Sequence, residues 1–466
     1  MKKFAIIYGA PLGEIQKRAV EELSKILLDA TLTYPVCMEY SENTDLCNYK
    51  RIYVGTKAEH PYIKEHSSGL LTTAEEYSIE VERDVVLIEG YDDAGVLYGV
   101  LDFYNKYVVK FEHPETDQYW VNFLLEDELP SFSYASAPAV KERGLWTWGH
   151  VIYDYRGYID HMMQLKMNRL ILWNDFAPVN AREIVEYAHA RNIKLLWGFS
   201  WLWDTNCNSV NLKALSGVSE AILAKYEREY ADLGGDGIYF QTFTELNKDN
   251  IDGVLIAEAA TNFVNQTAAL FYKSYPDLEI QFGLHATSVK NKLNFIKHVD
   301  PRIRIVWENC GAFPFSYIPH DLDGFEDTKR FVREIAGLRG KEDRFGVVTK
   351  GLVKLDWTCF EYATGAYCPG VSSEWMKQNR VERKRRIWRY IQSGWLTHAD
   401  KALETVREMY REKNGDLSIY ALVEDGMFEE NVMYPVALYA EMLWDCQKDV
   451  NTLIKDVALR GYVTFA

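Results

Sequence analysis

The sequence predicts an α/β protein: a (β/α)8-type (TIM) barrel preceded by a small α+β domain and followed by a helical C-terminal region. Three observations carry that expectation. From residue 141 onward, short apolar runs alternate with amphipathic helical patterns, a β-α repeat of roughly 25–50 residues seen seven times. No Gly-rich phosphate turn follows the first of these strands, which disfavours a doubly wound sheet. The 466 residues also exceed one ordinary compact domain.

Taken in order, residues 4–9 (FAIIYG) read as a buried strand, and 14–28 place Ile15, Ala19, Leu23 and Ile26 on one helical face. A strand near 51–55 follows. A strand pair over 77–90 turns at Arg83-Asp84, and a helix lies near 93–108. These elements make an α+β domain over 1–130. The Ser-, Pro- and Ala-rich stretch 127–140 reads as a linker. Barrel strands are expected at 143–148, 168–174, 193–199, 236–242, 278–284, 302–308 and 346–356. Helices between them are expected at 157–167, 180–191, 218–232, 253–274 and 325–338. An eighth strand is expected to be short and to lie within 358–368, giving a barrel over 141–374. Residues 375–466 are charged and helical in pattern, and VERKRR at 381–386 reads as a solvated helix face.

Composition narrows the function. Hydrophobic residues are 48% and charged residues 26%, a globular balance. The net charge of −16 makes general nucleic-acid binding a poor fit, and no apolar run is long enough to predict a membrane span. The seven cysteines include no CxxC pair, so reduced thiols are expected rather than a disulfide framework. Met1–Lys3 with FAIIYGAPLG reads as a first strand rather than a leader, and the expected location is cytoplasmic. Trp388 and Trp395 of the helical region could form a homodimer face or pack on the barrel.

Aromatic residues reach 14%, with 13 Trp and 31 Tyr. Many of the tryptophans fall at predicted strand ends, where an α/β barrel carries its chemistry. Strand one ends in Trp146 and Trp148, strand two in Trp173, Asn174 and Asp175. Strand three leads to Trp201, Trp203 and Asp204, strand four to Glu245, and strand five to His285. Strands six and seven end in Trp307 and Glu308, and in Asp356 and Trp357. Indole faces stack on pyranose rings, and planar carboxylates and amides pair with hydroxyls, so the pattern suits a sugar. Glycosidic cleavage needs two carboxyl groups at the scissile bond. Glu245, closing DGIYFQTFTELN beside Phe243, is the candidate general acid, because desolvation raises a carboxyl pKa. Glu308 and Asp356 are the candidate bases or nucleophiles. No cofactor is expected. The ten histidines show no HxH or HExxH spacing, although His285 with Glu308 and Asp356 could hold one ion.

Several stretches resemble the glycoside hydrolase superfamily that includes family 20 (β-N-acetylhexosaminidases) and the α-glucuronidases. RIYVG, YSIEV and DDAGVLYGVLDFY at 92–104 resemble the small domain that precedes the barrel there. KERGLWTW at 141–148 resembles the opening of strand one, YIDHMMQLKMNRLILWN at 158–174 the next helix and strand, and YAEMLWD at 439–445 a helical tail. The resemblance implies a glycosidase acting at the terminal sugar of a carbohydrate, with Glu245 as acid and Arg143 as a sugar-gripping residue or a barrel-base ion pair. Where family 20 has Asp before the acid, this chain has Thr244. That departure leaves nothing adjacent to hold an acetamido nitrogen, and Glu245, Glu308 and Asp356 resemble the α-glucuronidase layout at least as well. A uronic-acid-specific enzyme would need a cation at the mouth, for which Arg143 or Lys354 could serve. A non-catalytic sugar-binding protein on a degenerate barrel is the rival from outside the enzymes.

Overall fold

The computed structural model describes residues 3–105, 124, 128–148, 152–173, 176–202, 210–245, 249–285, 290–309, 324–353, 374–424 and 427–466. They form two compact units, one of Met1–Pro138 with Ala190–Asn192 and Lys455–Val463, the other of Ala139–His189, Ile193–Ile454 and Thr464–Ala466.

The first unit contains β1 (Lys3–Tyr8), α1 (Glu14–Thr31), β2 (Val36–Glu39), β3 (Tyr49–Thr56), α2 (Pro61–His66), β4 (Tyr77–Arg83), β5 (Val85–Gly90), α3 (Asp93–Phe103) and β6 (Leu129–Ser136). Its sheet runs β2-β1-β3-β5-β4-β6. The β1, β2, β3 and β5 pairings are parallel, and β4 is antiparallel to both β5 and β6. Arg83 takes φ 52 at the tip of the β4–β5 hairpin, where the sequence predicted the turn. The side chain of Asp92 accepts from Gly95 N and caps α3. The predicted linker 127–140 is corrected in part: Leu129–Ser136 is the edge strand of this sheet. Ser131 and Ser133 face solvent while Phe132, Tyr134 and Ser136 are half-buried, so main-chain pairing rather than an apolar run makes the strand.

In the second unit the strands are β7 (Glu142–Trp148), β8 (Arg169–Trp173), β9 (Lys194–Gly198), β10 (Gly237–Phe240), a small hairpin of β11 (Asn250–Ile251) and β12 (Val254–Leu255), β13 (Glu279–His285), β14 (Arg304–Glu308), β15 (Phe345–Leu352) and β16 (Leu417–Val423). The helices between them are α4 (Tyr155–Gln164), α5 (Ala181–His189), α6 (Leu215–Glu229), α7 (Ile256–Ser274), α8 (Leu293–Ile296), α9 (Phe325–Ala336) and α10 (Glu374–Lys413); α11 (Tyr434–Trp444) and α12 (Val450–Ala458) follow β16. Strands β7, β8, β9, β10, β13, β14, β15 and β16 close a barrel in that order, every pairing parallel.

The closing strand corrects the expectation of 358–368. Leu417–Val423 pairs with β15 on one side and β7 on the other, so the barrel continues past residue 374. Its seven residues are all buried, and α10 lies in the chain between β15 and β16. Trp388 and Trp395 of α10 are fully buried, and the Trp395 indole N–H donates to the Gly351 carbonyl at 2.9 Å. They pack within their own unit and form no dimer face. No described helix is long and apolar enough to cross a membrane.

The two-residue period of each strand sorts side chains between the barrel interior and the helix layer. Trp146, Ile171, Trp173, Leu196, Tyr239, Val306, Val348, Tyr420 and Leu422 form one interior cluster. Large rings there sit against glycines. A Cβ at Gly198 would meet the Trp173 Cα at 2.8 Å, one at Gly144 would overlap the Arg169 carbonyl, and one at Gly283 would overlap the Tyr239 hydroxyl.

Candidate active site

The two ends of the barrel carry separate ionic clusters. At the amino-terminal end, Glu142 of β7 accepts from Arg169 Nη2 at 2.8 Å and pairs with Arg304 Nη1 at 3.1 Å; Ser418 also donates to it. Arg304 Nε lies 3.6 Å from Glu279. Burial alone would raise the Glu142 pKa, but the two guanidiniums hold it down at about 2. Strand phase turns the neighbouring Arg143 outward. Its guanidinium donates to the carbonyls of Val140 at 2.7 Å and Lys166 at 2.9 Å, and lies 5.1 Å from the Trp444 ring. Arg143 is therefore not the sugar-gripping residue the resemblance implied: it clamps main chain at the end of the barrel away from the strand tips.

At the carboxyl end the centre is Glu308, the last residue of β14 and wholly buried. Its Oε1 accepts from the Tyr239 hydroxyl at 2.6 Å and from the Gln241 amide, and its Oε2 pairs with Lys350 Nζ at 2.7 Å. A Cβ at Gly283 would come within 2.8 Å of Oε1, so glycine is needed for this approach. The Lys350 ammonium lies 5.2 Å from the Trp146 ring centre, and its main-chain N–H donates to Asn309 Oδ1 at 3.0 Å. Burial works to raise the Glu308 pKa, but Lys350, His285 and the hydrogen bonds outweigh it and hold the carboxyl below its usual range. His285, ending β13, is pulled down to about 4, by burial first and Lys350 second, against the opposing pull of Glu308. At neutral pH the cluster thus holds a carboxylate and a neutral imidazole. Neither of these two supplies a general acid, and the ionisable protons of the floor sit on Lys350 and Tyr239, both engaged by Glu308.

The sequence brought His285 and Glu308 correctly to one place, at paired positions of β13 and β14. It missed Tyr239, Gln241 and Lys350. It also missed Glu424, one residue beyond β16, whose carboxylate pairs with Lys384 of α10 at 2.8 Å with both side chains buried. Lys350 was detectable: it stands in phase with inward Val348 as the one charged residue of its strand.

The tryptophans divide three ways. Trp201 and Trp307 face outward, Trp201 stacked on Phe240 at 3.6 Å and Trp307 edge-on to Phe331 of α9 at 5.4 Å, so neither reaches a ligand. Trp146 and Trp173 do point inward, but they are 0% and 3% exposed and pack edge-on against Tyr239. They form the floor rather than an open stacking face. The side chain of Trp148 lies outside the described residues, as do Asn174, Asp175, Trp203, Asp204, Lys354, Asp356 and Trp357. For Glu245 the backbone is described: Phe243–Glu245 is a 3-10 turn directly after β10, with Thr244 buried and its N–H donating to the Thr242 carbonyl at 2.7 Å. The Glu245 side chain lies outside the described part.

No protein-family model matches the sequence, and no curated protein matches it. Solved structures do. The chain is similar to a GH138 enzyme described as targeting pectin rhamnogalacturonan II, with 12% identity and a TM-score of 0.53 over 97% of this chain and 52% of that one. The chain thus spans about half of that protein's length. It is also similar to CpGH84B, with 12% identity and a TM-score of 0.56 over 98% of this chain and 70% of that one. At such identity the likeness is one of fold: a barrel of the kind found in glycoside hydrolases, with no particular tie to family 20.

Proposed function

We propose that the chain is a glycosidase, an O-glycosyl hydrolase that removes a terminal sugar of the hexosaminide type from a carbohydrate. The observation that carries this reading is the Glu308 cluster, a buried polar floor of one carboxylate held by Tyr239, Gln241 and Lys350, at the carboxyl ends of strands in a barrel shared with glycoside hydrolases. Glu308 and His285 supply no acid, and the turn after β10 offers one: Glu245 protonates the leaving oxygen. Glu308, its oxygens engaged by three donors, acts as a fixed charge that positions Lys350, Gln241 and Tyr239. Asp356, shortly after β15, is the second carboxyl, working by direct attack or through water. A separation of about 5–5.5 Å from Glu245 would give retention and about 6.5–9.5 Å inversion. The exposed thiols of Cys37 and Cys47 support a reducing, cytoplasmic setting.

The test is release of nitrophenol from N-acetylhexosaminides, hexosides and uronides of both anomers, with wild type and Glu245→Gln side by side. Acid catalysis predicts a fall of about 100-fold or more in the variant, and a larger fall on a poorer aglycone. A second reading, sugar binding without turnover, is favoured by the saturation of Glu308 and by Thr244 standing before Glu245. Silence across the panel together with saturable sugar binding would establish it in place of the enzyme.

A further inference from the structure

The sheet of the first unit has two differently covered faces. Helix α3 packs on the face that carries Tyr77 and Ile88. The six-residue α2 packs on the other, with Ile63 against Tyr53 and Leu87, and covers only part of it. Beside α2 remains a cavity of about 550 Å³ lined by Arg51, Tyr62, His66, Glu80, Glu82 and Asp84 among others. That volume suits one or two sugar rings.

The wall has two parts. One is aromatic: Tyr62 and His66 stack at 4.0 Å and 10°, and Tyr62 is backed in turn by buried Tyr53 at 3.8 Å and 9°, a column of three near-parallel rings ending on exposed His66. The His66 Nδ1–H donates to the Tyr62 carbonyl at 3.0 Å, which fixes the plane of the terminal ring. The other part is polar. Glu80 Oε1 accepts from the main-chain N–H and the hydroxyl of Ser68, each at 3.0 Å, so the carboxylate is oriented before any ligand arrives. Glu82, Asp84 and Arg51 add planar acceptors and a guanidinium around the same space. A flat ring in one lining with a preset carboxylate, two further carboxylates and a guanidinium meets the needs of a pyranose, apolar on its C–H face and hydroxylated at its rim. Three carboxylates against Arg51 and Arg83 make the lining net acidic, which disfavours a sugar that bears its own carboxylate.

We propose that this cavity is a second, non-catalytic carbohydrate site, selective for a pyranose without negative charge. It is lined entirely by the first unit, and it stands whether or not the barrel turns over a glycoside. Isothermal titration calorimetry on the full chain tests it, with glucose, glucosamine and glucuronate as probes against wild type, His66→Ala and Glu245→Gln. The expected result is a site for glucose or glucosamine in the range of about 1–10 mM. His66→Ala should weaken that site about fivefold or more, while Glu245→Gln leaves it unchanged. Glu82→Gln, at an exposed position, should weaken glucosamine more than glucose. Unchanged binding in His66→Ala overturns the proposal. So do loss of the site in Glu245→Gln, glucuronate binding as tight as glucose, or no heat from either sugar up to about 50 mM. The glycoside panel reads the barrel alone, so failure of either reading is visible without the other.

Discussion

Each end of the barrel buries a glutamate that stays ionised, yet the two are built from different partners. Glu142 sits between two arginines from β8 and β14, whose forked guanidiniums remain charged at any accessible pH. Glu308 has one lysine, a phenol and an amide, with a neutral histidine beside it. The first arrangement locks its charge. The second keeps its charge through groups whose protonation and hydrogen bonding can respond to what binds. Burial alone therefore does not tell the two carboxylates of this barrel apart; the nature of their partners does.

The sharpest way to break that contrast is to remove the locked carboxylate. Glu142→Gln leaves Arg169 and Arg304 facing each other with only the more distant Glu279 to offset them and should cost about 3–5 kcal/mol in urea unfolding. A cost below about 1 kcal/mol would mean that the base cluster locks nothing. At the other end, Lys350→Met strands the Glu308 charge and should cost somewhat less, about 2–4 kcal/mol, because Tyr239 and Gln241 still donate to it. The double variant Glu308→Gln with Lys350→Met should recover most of that stability but no glycoside turnover. Recovery of both would reduce the mouth cluster to a structural pair.

Gly283→Ala is a gentler probe. The added methyl would overlap the Tyr239 hydroxyl and crowd Glu308, with an expected cost of about 1–3 kcal/mol and a fall in kcat/KM larger than stability alone explains. A further effect is in pH. As the pH falls from 6.5 toward 4, the unfolded chain protonates His285 before the folded chain does, so stability declines across that window. The Glu142 contribution is complete above its unfolded value near 4.5 and is lost only as the pH drops toward 2. Unfolding midpoints for wild type and His285→Asn should therefore diverge between pH 6.5 and 4 and run parallel below. Parallel curves throughout would show that His285 is not held neutral.

Seven of the eight barrel strands were legible because each is a short apolar run set between amphipathic helices. The eighth was not. LSIYALV at 417–423 is apolar at nearly every position, a pattern shared by buried helices, and the 40-residue α10 before it breaks the repeat that revealed the others. At the site, His285 and Glu308 followed from being last in their strands. The tryptophans misled because position near a strand tip does not fix a face. Trp307 lies one residue out of phase with Val306 and Glu308, and that single step turns it toward α9. Strand phase, had it been assigned from the inward carboxylates, would have sorted Trp307 and Arg143 as well.

The pairing of interior rings with glycines makes this barrel hard to alter one position at a time. Any larger residue at Gly198 collides with Trp173, and a smaller residue at 173 leaves a hole above Gly198. The same holds for Tyr239 and Gly283. At Gly283 a change of floor shape must therefore arrive as a matched exchange with Tyr239, whereas at Gly198 the contact with the Trp173 Cα leaves no room for a side chain. Variation in what the barrel mouth accepts should accumulate first in the loops beyond the strand tips, where single substitutions face no such epistasis.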